Sequence, residues 1–409
     1  MATRDEFRPL RGADGYAYTL PEIATEFRVE RLRRERGELV GELTVSCGLP
    51  GSGALNGVLS VADLNFSSAR AGQERGRILA DRAKLGEIGW TDLLEQFRQK
   101  VIAADRIGQP AILLRDVSRP NGDDALDVAG LRLLRRHPVT IFGDGGDAKS
   151  YLALYLATCL ADAGLRVLIA DWELAGEDHR DRLERLCGPD MPAIWYARCE
   201  RPLTAEADRL RRIVGEEQID YLICDSVAFA ADGPPEAAEV AGNYFRALRR
   251  IGVGSLNIAH TTKAEGGDQK PFGSTFWNNG SRATFYVKRS AEGEGGNRLT
   301  IGLFNRKANL GPIAPPLGYE ITFGPERTTF ERVPLVGVPD LARRMPIWQQ
   351  VKALLERGSL TVAEIAHELD EQVGAVTKAV DRGTGKVFVK VPGADGIYRI
   401  GLLSERVAA

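Results

Sequence analysis

At 409 residues the chain is longer than one hydrophobic core ordinarily serves, so two or three domains are expected. Its 54 Lys and Arg against 56 Asp and Glu leave a net charge of −2, which excludes a general basic field for holding nucleic acid and confines any such contact to local patches. The five cysteines (Cys47, Cys159, Cys187, Cys199, Cys224) form no CxxC pair and mostly lie in apolar runs, fitting reduced core thiols and the cytoplasm better than disulfides or a zinc site.

The opening MATRDEFRPLRG lacks the apolar core of a secretory signal, and no run approaches the ~18 apolar residues that span a bilayer, so no membrane contact is expected. Alternating residues over Phe27 to Val45 and Gly57 to Leu64 predict strands, and apolar recurrence at three and four over Trp90 to Ala104 predicts a helix. Residues 1–118 therefore read as a small α+β domain, whose scattered acids Asp63, Glu74 and Asp81 form no catalytic cluster. The polar, turn-rich Ser118 to Asp127 reads as a linker with a boundary near Arg119.

From Val139 the text alternates: PVTIFG, a helix from Lys149 to Ala163, VLIAD, a helix from Gly176, AIWYARC, a helix over Ala205 to Glu217, YLICD, a further helix and SLNIAH. Such alternation predicts an α/β domain over 119–335, a parallel sheet with crossover helices. Strand-like runs at Thr284 to Lys288, Leu299 to Asn305 and Tyr319 to Phe323 predict that the sheet finishes in hairpins. Over 345–405, helices from Ile347 to Glu356, Val362 to Leu369 and Val373 to Asp381 precede KVFVKV and GIYRI, the pattern of a winged helix.

Chemistry concentrates at the strand ends. GDGGDAKS (Gly143, Asp144, Gly145, Gly146, Asp147, Ala148, Lys149, Ser150) joins a buried strand to a helix, which is the setting of a P-loop. There backbone N–H groups turn on the phosphates of ATP, Lys149 reaches the β and γ phosphates, and the Ser150 hydroxyl ligates Mg2+. Ala148 stands where the motif has its last glycine, so its methyl restricts the backbone and crowds the phosphates. VLIADWE ends on Asp171 and Glu173, and YLICDS has the apolar-strand-plus-acid form that sets Asp225 beside the metal. SLNIAH ends on His260, a candidate sensor of the γ phosphate. The run after it interleaves Lys263, Lys270 and Arg282 with Phe272, Phe276 and Trp277, charges and ring faces suited to single-stranded DNA unless the aromatics are core. LTIGLFNRKANLGP carries Arg306, a candidate arginine finger across a subunit interface.

These segments, in this order over roughly Val128 to Phe323, resemble the RecA-like superfamily, and within it hexameric helicases of the DnaB and plasmid RepA type. HTTKAEGGDQKPFGSTFWNNGSR is similar to AAA-family ATPases of phages and mobile elements. The resemblance implies a RecA-like fold, Glu173 as the base that polarises the attacking water with Asp171 as runner-up, Mg2+-dependent ATP hydrolysis at the interfaces of a homo-oligomeric ring, a hexamer first, and single-stranded DNA through its centre. The chain departs from the pattern at Ala148 and at Phe304, where DnaB-type helicases carry a lysine two residues before the finger. In the C-terminal module the helix QVGAVTKAVDRG would place Lys378 and Arg382 in a major groove, while Glu364, Glu368, Asp370 and Glu371 nearby keep docking to protein open as the alternative. Two alternatives to a DNA helicase stay open: a nucleotide-switched adaptor and a recombination mediator that coats DNA without unwinding it.

Overall fold

The computed structural model describes residues 5–10, 14–108, 111–119, 123–261, 270–291, 296–393 and 397–403. The chain divides into two compact units, 1–123 together with 206–218, and 124–205 together with 219–409. No helix among the described residues is long and apolar enough to cross a membrane.

In the first unit five strands form an antiparallel meander: β1 (Glu6–Pro9), β2 (Tyr16–Leu20), β3 (Thr25–Glu35), β4 (Glu38–Cys47) and β5 (Val58–Asn65). Arg36 and Gly37 turn the β3–β4 hairpin with φ of 50° and 87°, the left-handed pair that a two-residue hairpin matched to strand twist needs. One face of the sheet is covered by α1 (Ala69–Ala83) and α2 (Trp90–Ile107). Trp90, Leu94, Phe97 and Val101 lie along one stripe of α2, all buried. Sequence periodicity did not reveal α1, whose interior holds Gly72 and Gly76. A side chain at Gly72 would meet Arg98 at 2.5 Å and one at Gly76 would meet Thr91 at 2.8 Å, so these glycines let α1 close on α2 at the cost of helix propensity.

The second unit opens with a hairpin, β6 (Ala125–Val128) and β7 (Leu131–Leu134), which takes the end of the stretch read as linker. Then follow in chain order β8 (Pro138–Gly143), α3 (Lys149–Asp162), β9 (Val167–Asp171), α4 (Gly176–Cys187), β10 (Ile194–Arg198), α5 (Leu203–Glu216), whose residues from Glu206 on belong to the first unit, β11 (Tyr221–Asp225), the short α6 (Val227–Ala230), α7 (Ala238–Ile251) and β12 (Gly254–His260). After α8 (Thr275–Gly280) come β13 (Ala283–Arg289), β14 (Arg298–Ala308), β15 (Leu317–Phe323) and β16 (Thr328–Val333). Nine strands form one sheet in the order β10-β9-β11-β12-β8-β13-β14-β15-β16. The pairs from β10 through β13 are parallel and the last three are antiparallel, as alternation followed by hairpins predicts. Because β12 lies between β8 and β11, the loops after those strands open at one edge of the sheet and converge. Alternate residues of β8 serve two cores: Val139 and Ile141 pack with α3 through Leu152 and Leu156, while Thr140 and Phe142 face the other way.

After the short α9 (Pro339–Ala342), α10 (Ile347–Leu355), α11 (Val362–Glu368) and α12 (Val373–Gly383) close on a hairpin of β17 (Phe388–Pro392) and β18 (Tyr398–Leu402). Thr361 and Glu364 form a reciprocal capping box at the start of α11. Val351, Leu355, Ile365, Val376, Val380, Phe388 and Ile400 form its own small core.

Candidate active site

The loop between β8 and α3 is built around Asp147. This buried carboxylate accepts the Asp144 N–H at 2.8 Å and the Arg289 N–H at 3.2 Å, bracing the loop from within; burial pushes its pKa up against those bonds. Gly143 must be small, since a β carbon there would lie 2.5 Å from the Val287 carbonyl oxygen. Gly145 and Gly146 are exposed, with open space where side chains would project. Ala148 takes φ 54° and ψ 26°, the left-handed conformation that the motif's glycine adopts freely and that costs an L residue about 1–2 kcal/mol. The expected restriction is therefore a backbone strain carried in the loop.

Lys149 is buried at the start of α3, and its Nζ donates to the Asp144 carbonyl at 2.6 Å. Burial lowers its pKa, against the surrounding carboxylates of Asp147, Asp225, Asp144 and Glu173. The Asp144 carboxylate accepts from Lys288 at 2.8 Å. That lysine, on the strand beside β8, escaped the sequence reading because the contact spans a wide separation along the chain. Asp225, at the end of β11, has one buried carboxylate oxygen with no hydrogen-bond partner among the described residues. Burial pushes its pKa up to about 6, against a hydrogen bond with Ser150. A hydroxyl and an orphaned buried carboxylate oxygen are hard oxygen donors of the kind Mg2+ takes, so Ser150 and Asp225 fit the ion by their chemistry.

Asp171 and Glu173, two positions apart, have different surroundings. Asp171 is fully buried, and its oxygens accept from the N–H groups of Glu173 (3.1 Å) and Leu174 (3.0 Å) and from the Tyr196 hydroxyl (3.1 Å). Arg198 lies 3.5 Å and His179 3.6 Å away. Burial raises its pKa, but His179 and the two N–H groups outweigh this and hold the carboxyl below its ordinary value. Every direction around Asp171 is taken, which makes it the anchor of the turn rather than a base. Glu173 is exposed and close enough to Lys149, Asp225 and His260 to influence the charge of each.

His260 ends β12 opposite Gly143. Burial and the Lys149 ammonium hold its imidazole pKa below the usual value. Beside it a cavity of 610 Å³ is lined by Gly143, Asp144, Gly145, His260, Phe272 and Trp277. The His260 carbonyl accepts the Phe272 N–H at 2.8 Å, so this strand end and the returning loop share a backbone bond that periodicity could not show.

Of the residues expected to meet DNA, Lys263 lies outside the described residues. Lys270, Phe272, Phe276 and Arg282 are exposed. Trp277 corrects the expectation: it is 4% exposed, packs on Tyr244 and Phe245, and donates its indole N–H to the Pro235 carbonyl at 2.8 Å, so its ring faces are core. Arg306 is exposed at the end of β14, its guanidinium over the rings of Tyr286 and Phe304 at 5.7 and 5.6 Å. Phe304, the departure from the helicase pattern, is thus a shelf for the candidate finger. Neighbouring Lys307 is a fastener: its Nζ donates to the carbonyls of Asn278 (2.7 Å), Asn279 (3.3 Å) and Ser281 (2.7 Å). Lys378 and Arg382 are exposed on α12, remote in sequence from this constellation.

Two solved structures are similar to this chain at low identity. One, an ATPase domain, is 13% identical, with a TM-score of 0.38 over 49% of this chain and 85% of that one. The other, the KaiC-like protein PH0186 from the hyperthermophilic archaeon Pyrococcus horikoshii OT3, is 15% identical, with a TM-score of 0.38 over 49% of this chain and 91% of that one. No curated protein matches. Residues 128–266 match the model of a family described as an AAA domain, a span that contains the loop at Gly143 to Ser150 together with Glu173, Asp225 and His260, and the match supports a P-loop ATPase domain there.

Proposed function

We propose that the chain is an ATP-hydrolysing, RecA-like motor that works on single-stranded DNA as a homo-oligomeric ring, a hexamer first, in the manner of a replicative or mobile-element DNA helicase. One observation carries the reading: segments far apart in sequence bring Glu173 within electrostatic reach of Lys149, Asp225 and His260. A cation for phosphate, an exposed carboxylate for water, a buried carboxylate for a metal and a polar strand end as sensor are the parts that in-line phosphoryl transfer to water needs. Lys149 exchanges its bond to the Asp144 carbonyl for the phosphates. Glu173 takes the proton of the attacking water as the new P–O bond forms and ADP leaves with the electron pair of the broken one. Ser150 and Asp225 hold Mg2+, which when bound offsets phosphate charge. His260, neutral at pH 7, reports the γ phosphate to the loop through the Phe272 backbone bond, and Lys270, Phe272, Phe276 and Arg282 meet DNA there. Arg306 of a neighbouring copy completes the site, and we read 345–405 as a winged helix.

ATP hydrolysis measured with and without single-stranded DNA, with assembly followed by mass, tests the reading; turnover indifferent to DNA from a protein that stays monomeric with nucleotide overturns it. A second reading, a switch that binds ATP with little hydrolysis, is favoured by the strained Ala148. Loss of turnover in Glu173→Gln separates the two, because a switch has little to lose.

A further inference from the structure

The C-terminal module carries a groove that the motor does not use. Its cavity, 590 Å³, lies between α10 and α12, with Ile347, Trp348, Ala375, Ala379 and Val387 among the lining residues and Lys378, Arg382 and Lys386 at its rim. Trp348 is 41% exposed, whereas Trp90, Trp172 and Trp277 are each 6% exposed or less. Lys378 and Arg382 stand one helical turn apart and so share a face of α12. None of the three cations has an ion pair with a described residue; the acid on the same helix, Asp381, leans 4.0 Å toward Lys390 instead. An open indole, hydrocarbon walls and three uncompensated positive charges thus share one concavity.

We infer that this groove captures a short acidic peptide segment of a partner protein, one large apolar side chain entering the cavity and flanking carboxylates meeting Lys378, Arg382 and Lys386. The lining decides between peptide and nucleic acid. It includes no Ser, Thr, Asn, Gln, Asp or Glu, so a buried base would leave its hydrogen-bonding edge unmatched, whereas an aliphatic or aromatic side chain brings no such edge. Ala375 and Ala379, at the centre of α12, offer a base edge no hydrogen-bonding group. Lys378 and Arg382 thereby pass from DNA to protein recognition.

The test uses the full chain and the fluorescence of Trp348, titrated with a synthetic hexapeptide Asp-Asp-Leu-Phe-Asp-Asp. Expected is a saturable change in emission that is absent in Trp348→Phe, while calorimetry shows that this variant still binds. Replacing Leu-Phe by Ala-Ala in the peptide, or Lys378 and Arg382 together by Glu in the protein, weakens binding about tenfold or more, the scale of two exposed charge pairs turned from attraction to repulsion. The melting temperature of the charge-reversed protein stays that of the wild type, which keeps the comparison free of unfolding. Absence of saturable binding, equal binding of the Ala-Ala peptide, or tighter binding of a ten-residue oligo-dT that depends on the same two cations overturns the inference.

Discussion

Replacing Asp171 by Asn leaves the side chain's shape and removes its charge where five donors converge. One oxygen can still accept from the Glu173 and Leu174 N–H groups, but the new amide faces the Tyr196 hydroxyl, Arg198 and His179. Losing at least one charge-assisted hydrogen bond at a fully buried site, and setting a donor against a guanidinium, costs about 3 kcal/mol. For a domain of this size that is a fall of roughly 6 to 12 °C in melting temperature. The turn bearing Glu173 loosens, so on the proposed function turnover falls as well. The pH dependence follows from the sign of the shift: a folded-state pKa below the ordinary 3.8 contributes stability that is present above that value and lost as pH falls through the lower one. The gap between wild type and Asp171→Asn therefore narrows as the solution is acidified below 3.8. Thermal melts across acid pH with ATP turnover at pH 7 form the assay. An unchanged melt with abolished turnover would refute the reasoning and return Asp171 to the role of base.

Lys307→Met strips three carbonyls of their shared donor and destabilises the protein by about 2–3 kcal/mol, discounted for partial exposure, whereas Arg306→Ala loses exposed cation–π contacts worth about 1 kcal/mol and removes turnover of the assembled protein. Denaturant unfolding beside hydrolysis assays separates the two. Trp277→Ala empties a packed site and costs about 3–5 kcal/mol, while Phe276→Ala, half exposed, is close to neutral in stability and lowers stimulation by single-stranded DNA. Ala148→Gly relieves left-handed strain of about 1–2 kcal/mol but loses a partly packed methyl and frees the unfolded chain, so stability shifts by less than about 1 kcal/mol while ATP, titrated directly, binds more tightly.

What could be read from the sequence was what is local. Asp225 and His260 end their strands and Lys149 and Ser150 open the helix after one, and such junctions are visible in a linear pattern. Choices settled by distant partners were not. Interleaved aromatics and cations look alike whether they face DNA or the core, and Trp277 is assigned by Pro235, Tyr244 and Phe245. Asp171 and Glu173 part company through Tyr196 and Arg198, which lie on the next strand. Lys307 differs from Arg306 because the carbonyls of Asn278 and Ser281 face it. The helix α1 was missed because Gly72 and Gly76, weak helix formers, are there for close packing on Arg98 and Thr91.

The central claim is that this constellation hydrolyses ATP with Glu173 as its base. Steady-state turnover of the full chain with Mg2+ and single-stranded DNA, wild type beside Glu173→Gln, tests it most directly. A fall of about 10²-fold or more with nucleotide binding and melting temperature retained is the predicted result. Equal turnover by the two proteins would contradict it.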